Sequence, residues 1–276
     1  MIRVYVDSGS SIKQNEKQKY NVEILPLKIM FDEQEYLDGI DLTFEEFYHK
    51  LIEEKKFPKT SLPNVMNVYD EITEYTNKGD DVLIITISSK ISGTFNFLHT
   101  TFADNSKVHV IDSLSAVGGV RILLNEVNKY RNDDINVVLE KINSLIPRIH
   151  IIAIPEVLTY LERGGRLSKA GLIVGSLLQL KPIITFKEGA VTVLSKKRGL
   201  KTAIKELANL LNELECDPNY EIVPSYTYST SNIDEVLQII DEKYKNSIGE
   251  KDNLDPAIAA HWGPNAFGLI FVGKTA

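Results

Sequence analysis

The chain of 276 residues holds a single cysteine, a single tryptophan and three methionines. Cys216 has no second thiol with which to close an intrachain disulfide, and a thiolate metal cluster is excluded for the same reason. The five histidines form neither HExxH nor any other compact ligand pair, so no metal site and no cofactor is expected. Three signatures are missing: the GxxxxGK[ST] phosphate loop, a GxGxxG turn after a strand, and the GxSxG nucleophile elbow. Nucleotide-dependent chemistry by this chain alone is therefore unsupported. No apolar run approaches the roughly 18 to 20 residues of a membrane span, and no integral membrane contact is expected. Positive charge is also short, since 31 Lys and Arg face 38 Asp and Glu; the net charge of −7 repels nucleic acid and anionic lipid. The opening MIRVYVDSGS enters a strand pattern with neither a basic n-region nor an apolar h-region, so no secretory signal and a cytoplasmic location are expected.

What is present is a regular alternation of short β-rich runs and helical periods, the pattern of a parallel sheet covered by helices. Residues 2–7, 82–88 and 107–112 read as strands, and NVEILPLKIMFDEQEYLDG reads as a hairpin with Asp32 and Glu33 near its turn. Thr43 with Glu46 three residues later is a capping box opening the helix FEEFYHKLIEEK. After Asn64, the apolar residues Val65, Val68, Tyr69, Ile72 and Tyr75 recur at helical spacing up to Gly79. A polar helical stretch over 131–148, stopped by Pro147, places the domain boundary there: residues 1–148 form an N-terminal α/β domain and 149–276 a C-terminal α+β domain. The second block reads as the strand IHIIAIP, a hairpin-like strand after Gly189, a helix over about 199–214, the helix NIDEVLQIIDEKY, and two final strands, PAIAAH and GLIFVG.

In an open α/β sheet, ligands bind beyond the carboxyl ends of the strands, where helix N-termini offer free N–H groups and partial positive charge. Strand one ends in Asp7-Ser8-Gly9-Ser10-Ser11, the second in Ser88-Ser89-Lys90-Ile91-Ser92-Gly93-Thr94 and the third in Asp112-Ser113-Leu114-Ser115. Each hydroxyl by itself reads as a cap or turn residue. Three such loops on one rim could equally receive an oxygen-rich anion. Lys59-Thr60-Ser61-Leu62-Pro63-Asn64 adds two hydroxyls before a helix. The second block supplies Arg163-Gly164-Gly165-Arg166, in which the glycines could shape an anion nest flanked by fixed charge, with Ser168 placed to cap the next helix. Gly171 and Gly175 lie four apart on an apolar segment that suits close packing, and His261 is read as ending the strand PAIAA. A Ser/His hydrolase, with Ser92 or Ser89 as nucleophile, His261 as base and Asp112 or Asp7 as orienter, is an alternative on residue types alone.

DSGSS, KTSLPN, ISGTFN, the VIDS turn with its later Gly118-Gly119, YLERGGRLS, LKPIITF and HWGPNAFG, in this order along the whole chain, resemble the DegV family. The resemblance implies two domains, the first a Rossmann-like, mostly parallel sheet with helices on both faces, holding one long-chain fatty acid between them with its carboxylate at the interdomain cleft. It implies a lipid-binding carrier rather than an enzyme, similar to the binding subunit of bacterial fatty acid kinase, whose partners would be the fatty acid and the kinase catalytic subunit. Transient contact with a membrane surface is compatible with such a role, and a lipid-responsive regulator is a further alternative. By this resemblance Thr60, Ser92, Arg166 and His261 bind the carboxylate, Ser61, Gly93, Thr94 and Gly165 support it, and Arg198 in KKRGLK is a docking residue for the kinase. Leu62, Asn265 and Leu200 depart from the residues common in the family, which have Gln, Gly and a basic residue there.

Overall fold

A computed structural model of the protein describes residues 1–168 and 180–275. The chain divides into two compact units, Met1–Ile146 with Asp255–Ala257, and Pro147–Leu254 with Ile258–Ala276. In chain order the strands of unit 1 are β1 (Ile2–Asp7), β2 (Glu23–Leu25), β3 (Lys28–Phe31), β4 (Gln34–Leu37), β5 (Lys59–Ser61), β6 (Asp81–Thr86) and β7 (Val108–Asp112). Its helices are α1 (Lys17–Tyr20), α2 (Phe44–Tyr48), α3 (Met66–Asn77), α4 (Thr94–Thr101), α5 (Gly118–Tyr130) and α6 (Ile135–Leu145).

Strands β2, β1, β6 and β7 form one all-parallel sheet in that order, with Val4 opposite Leu83 and Ile84 opposite Val110. The fold class is the α/β one expected. On one face Tyr5, Val82 and Ile84 pack with Ile72 of α3 and Leu98 of α4. Leu83 and Ile85 alternate to the other face and are equally buried, which requires that face to be covered too. The hairpin is narrower than the sequence suggests. β3 and β4 pair antiparallel around Asp32-Glu33 and β5 joins on the far side, whereas Glu23–Leu25 lies parallel to β1. Pro26 separates these two fates because it cannot donate to a ladder. The capping box at Thr43 forms with both of its bonds: the Glu46 N–H donates to Thr43 Oγ1 (3.2 Å), and the Thr43 N–H donates to Glu46 Oε2 (3.0 Å).

Unit 2 contains β8 (Ile149–Ile154), α7 (Thr159–Arg163), β9 (Leu180–Lys187), β10 (Ala190–Arg198), α8 (Leu200–Glu213), β11 (Val223–Tyr226), α9 (Ser231–Ile239), β12 (Asp252–Asn253) and β13 (Phe267–Val272). Its sheet runs β10-β9-β8-β13-β11-β12, antiparallel except for the last pair. Glu188 and Gly189 both take positive φ (51° and 80°), the handedness that matches strand twist in a two-residue hairpin. Leu207 and Leu211 of α8, with Ile233 and Val236 of α9, bury against Ile152, Leu269 and Phe271 of the sheet.

One expected strand is a helix. PAIAAH lies in α10 (Pro256–Trp262), and only GLIFVG is extended, within β13. Pro256 occupies the first helical position, where its missing N–H costs nothing, and Gly263 ends the helix in the left-handed region (φ 73°). Gly171 and Gly175, and the helix that Ser168 was expected to cap, fall outside the described residues. No helix among the described residues is long and apolar enough to cross a membrane.

Candidate functional site

The carboxyl ends of β1, β6 and β7 meet, as a parallel sheet demands, but most of their hydroxyls are consumed in building the rim. Asp7 is fully buried, and its Oδ2 accepts the Ile87 N–H at 3.0 Å, tying the end of β1 to the end of β6. Asp112 Oδ1 accepts the N–H groups of Ser89 and Leu114, both at 3.0 Å. Ser113 Oγ accepts the Ser115 N–H (3.1 Å), and the Ser88 N–H donates to the Ser115 carbonyl (2.7 Å). Ser8, Ser10, Ser11, Ser88, Ser113 and Ser115 are all buried. The Oγ atoms of Ser10, Ser88 and Ser113 each accept an N–H two residues on, a turn role, whereas Ser8 Oγ donates to Asp38 Oδ2 (2.6 Å) and the Oγ atoms of Ser11 and Ser115 have no hydrogen-bond partner among the described residues.

A smaller set stays accessible. Ser92 is half-buried immediately before α4; its Oγ accepts the Thr94 N–H (3.3 Å) and lies 2.9 Å from Thr94 Oγ1. The hydroxyl pair therefore sits at the positive end of a two-turn helix, with Thr94 fully buried and Ser92 the accessible member. Thr60 is half-buried on β5, opposite Ile29, and Ser61 is exposed beside it. The segment that follows brings the two loops together: a Cβ added at Gly93 would stand 3.4 Å from Leu62 Cδ2. Thr60-Ser61-Leu62 and Ser92-Gly93-Thr94 are thus adjacent within unit 1, although 29 residues lie between them in sequence. Among the described residues of unit 1, no imidazole or carboxylate contacts the hydroxyl of Ser89 or Ser92. Both aspartates named as orienters are engaged by backbone N–H groups instead.

Unit 2 assembles a second set. Gly165 takes φ 70° just beyond α7, its N–H donates to the Glu162 carbonyl (3.0 Å), and the Arg166 N–H donates to the Leu161 carbonyl (2.9 Å). This pair of bonds is a Schellman stop. The expected anion nest is therefore corrected: these N–H groups close the helix. Gly164 is glycine for a different reason, because a Cβ there would lie 2.2 Å from His261 Nδ1. The imidazole rests on the bare glycine, and the neighbouring Arg166 bends back so that Nη1 donates to the Gly164 carbonyl. Arg166, Gly164 and His261 are therefore one cluster. Burial first, and then the Arg166 charge, push His261 down to about 4, so at neutral pH it is an uncharged imidazole beside a fixed cation. His261 sits on a helix rather than at a strand end.

Thr227, which belongs to none of the motifs singled out above, fixes the turn after that helix. It is fully buried; its Oγ1 donates to the Gly263 carbonyl (2.7 Å) and accepts the Ala266 N–H (2.9 Å). Asn265 takes φ 58°, a conformation that Asn tolerates better than most side chains, and its Nδ2 donates to Glu156 Oε2 (2.8 Å). The departure from Gly is accommodated in this way. Arg198 is exposed at the end of β10, away from the Arg166 cluster in sequence and next to Gly199, which opens α8.

The family model described as "Uncharacterised protein, DegV family" matches residues 1–274. A DegV domain-containing protein of Caldanaerobacter subterraneus is 29% identical over 278 residues, covering 99% of both chains. One of Clostridium perfringens is 31% identical over 221 residues, 77% of both. Among solved structures, a fatty acid binding DegV family protein from Streptococcus agalactiae is 25% identical, with a TM-score of 0.89 over 100% of this chain and 99% of its own. A DegV family protein from Thermus thermophilus, described for its fatty acid binding, is 26% identical with a TM-score of 0.86 over 99% of both. A stearic acid-binding protein from Eubacterium ventriosum is 25% identical with a TM-score of 0.85, again over 99% of both.

Proposed function

Because this chain belongs to the DegV family, we propose that it binds one long-chain fatty acid, holds the carboxylate with Thr60, Ser92, Arg166 and His261, and presents it to a partner kinase that forms the acyl phosphate. The observation that carries the reading is full-length similarity to several proteins described as binding fatty acids, joined to a hydroxyl pair at a helix N-terminus and a guanidinium beside a neutral imidazole in this chain. Hydroxyl and guanidinium donors suit a carboxylate because charge-assisted hydrogen bonds are shorter and stronger than neutral ones. Neutral His261 can donate one N–H to a carboxylate without bringing a second buried cation next to Arg166. The alkyl chain gains about 0.8 kcal/mol for each buried methylene, so 14 to 16 of them give a gross term of roughly 11 to 13 kcal/mol before ordering costs. In this reading a partner supplies the phosphoryl-transfer machinery, because phosphoryl transfer needs a phosphate cradle and metal-binding acids and this sequence contains no phosphate-loop motif.

Titration of the delipidated protein with a fatty acid and with the matched fatty alcohol tests the head-group assignment. Ser92→Ala and Thr60→Ala should each weaken acid binding by about 1 to 3 kcal/mol and alcohol binding by less. Equal losses for both ligands would show that the two residues act through packing and would withdraw them from the carboxylate site.

A further inference from the structure

Unit 1 has a concavity at the amino-terminal end of β1 and so opposite the hydroxyl loops of the same sheet. Its volume is about 630 Å³, and Arg3, Tyr5, Tyr75, Asp81, Arg131 and Asp133 are among the residues bordering it. That volume lies within the usual range of small-molecule sites.

The charges around it are unevenly satisfied. Asp81 is paired with His109 (3.2 Å) and Lys107 (3.6 Å), Glu23 with Lys17, and Asp134 caps α6 by accepting the Asn136 N–H at 2.8 Å. Arg3 Nε donates to Asp80 Oδ2 at 3.1 Å, and its guanidinium carbon stands 4.4 Å from the centroid of the Tyr75 ring. Arg131 differs. It is half-buried at the end of α5, its Nη1 donates to Asn128 Oδ1 (3.0 Å), and no carboxylate lies within ion-pair distance among the described residues. Burial, and then repulsion from Arg3, pull its pKa below the ordinary guanidinium value, so the two cations feel each other across the site. Asp133 is exposed, and its N–H donates to the Tyr130 carbonyl (2.9 Å) in the turn after α5.

We propose that this cavity binds a small phosphate-bearing metabolite, its phosphate held by the Arg131 guanidinium with Arg3 as the second cation. A half-desolvated guanidinium with no counter-ion among the described residues, bordering the same cavity as a second guanidinium, is relieved by a dianion. The planar fork of Arg matches phosphate oxygens two at a time. The volume leaves room for an organic group beyond the phosphate, with Tyr75 and Tyr5 as its apolar walls. The reading does not depend on the fatty acid assignment, because every residue named belongs to unit 1 and lies at the opposite end of the sheet from Thr60 and Ser92.

Calorimetric titration of the full chain with inorganic phosphate and with phenyl phosphate, at matched ionic strength, tests it. Saturable binding that Arg131→Gln weakens at least tenfold is expected, with Arg131→Lys intermediate because it keeps the charge and loses the fork. Tighter binding of phenyl phosphate than of inorganic phosphate would place an organic ester in the site, and the reverse would identify free phosphate as the ligand. If Arg131→Gln fails to fold, Arg3→Gln and Arg131→Lys carry the same test. Absence of saturable binding, or affinity unchanged in folded Arg131 variants, would overturn the proposal.

Discussion

Asp7 offers a quantitative test of how the sheet rim is built. Its carboxyl is fully buried, and loss of hydration pushes it up to about 7 from 3.8, against the lowering effect of the Ile87 N–H. The folded chain therefore keeps this proton at pH values where the unfolded chain has released it. Stability from this group is fully present below pH 3.8, is lost at up to about 1.4 kcal/mol per pH unit as pH rises, and levels off above about 7. The whole window amounts to about 4 kcal/mol at most. Other groups overlap it. Asp38, pushed up by burial and by Asp255, acts with the same sign, whereas His261, pushed down to about 4, contributes stability that rises with pH between about 4 and 6.5. The clean observable is therefore a difference between two proteins. Asn at position 7 preserves the volume and an acceptor for the Ile87 N–H, but removes the titration. Urea unfolding followed by circular dichroism should show Asp7→Asn gaining on the wild type from pH 4 to about pH 7 and holding a constant advantage above that, by as much as about 4 kcal/mol in all. A stability difference that does not change with pH would refute the claim that Asp7 is held protonated by burial.

Two further substitutions probe unit 2. Gly164→Ala would drive a methyl group to 2.2 Å from His261 Nδ1, so it should lower stability by about 1 to 3 kcal/mol and, by displacing the imidazole, weaken fatty acid binding; thermal denaturation and ligand titration check the two effects separately. Arg198→Ala should leave fatty acid affinity unchanged while slowing acyl-phosphate formation by the partner kinase, most visibly at low salt, because an exposed charge acts chiefly on encounter. A salt-independent turnover equal to that of the wild type would remove Arg198 from the docking surface.

The parts of the fold legible in the sequence are those where one local signal dominates. β1, β6 and β7 are β-branched runs bounded by hydroxyl-rich turns, and the Thr43–Glu46 box specifies its helix start by two reciprocal hydrogen bonds. Where two signals compete, the reading fails. PAIAAH is a six-residue apolar run too short for its period to be counted, and the deciding features are Pro256 at the first helical position and Gly263 past the last. RGGR illustrates the same limit in the site. Its glycines permit either a nest or a helix stop, and the choice follows from the carbonyls of Leu161 and Glu162, which need partners at the end of α7. The adjacency of Thr60 and Ser92 loops depends on β5 pairing with β3, a long-range contact that spacing does not encode. Thr227 could not be found from its own surroundings, because its role is to satisfy a turn almost forty residues away.

The central claim is that this chain is a fatty acid carrier, and the most direct test is the mass of what it holds. Protein purified without added lipid should be denatured in organic solvent and the extract analysed by mass spectrometry against the molar amount of chain. The account predicts about one long-chain fatty acid per chain, since burying 14 to 16 methylenes gives a gross term of roughly 11 to 13 kcal/mol that retains the ligand. It is contradicted by an extract free of acyl lipid from protein that, once folded and delipidated, also fails to take up added fatty acid.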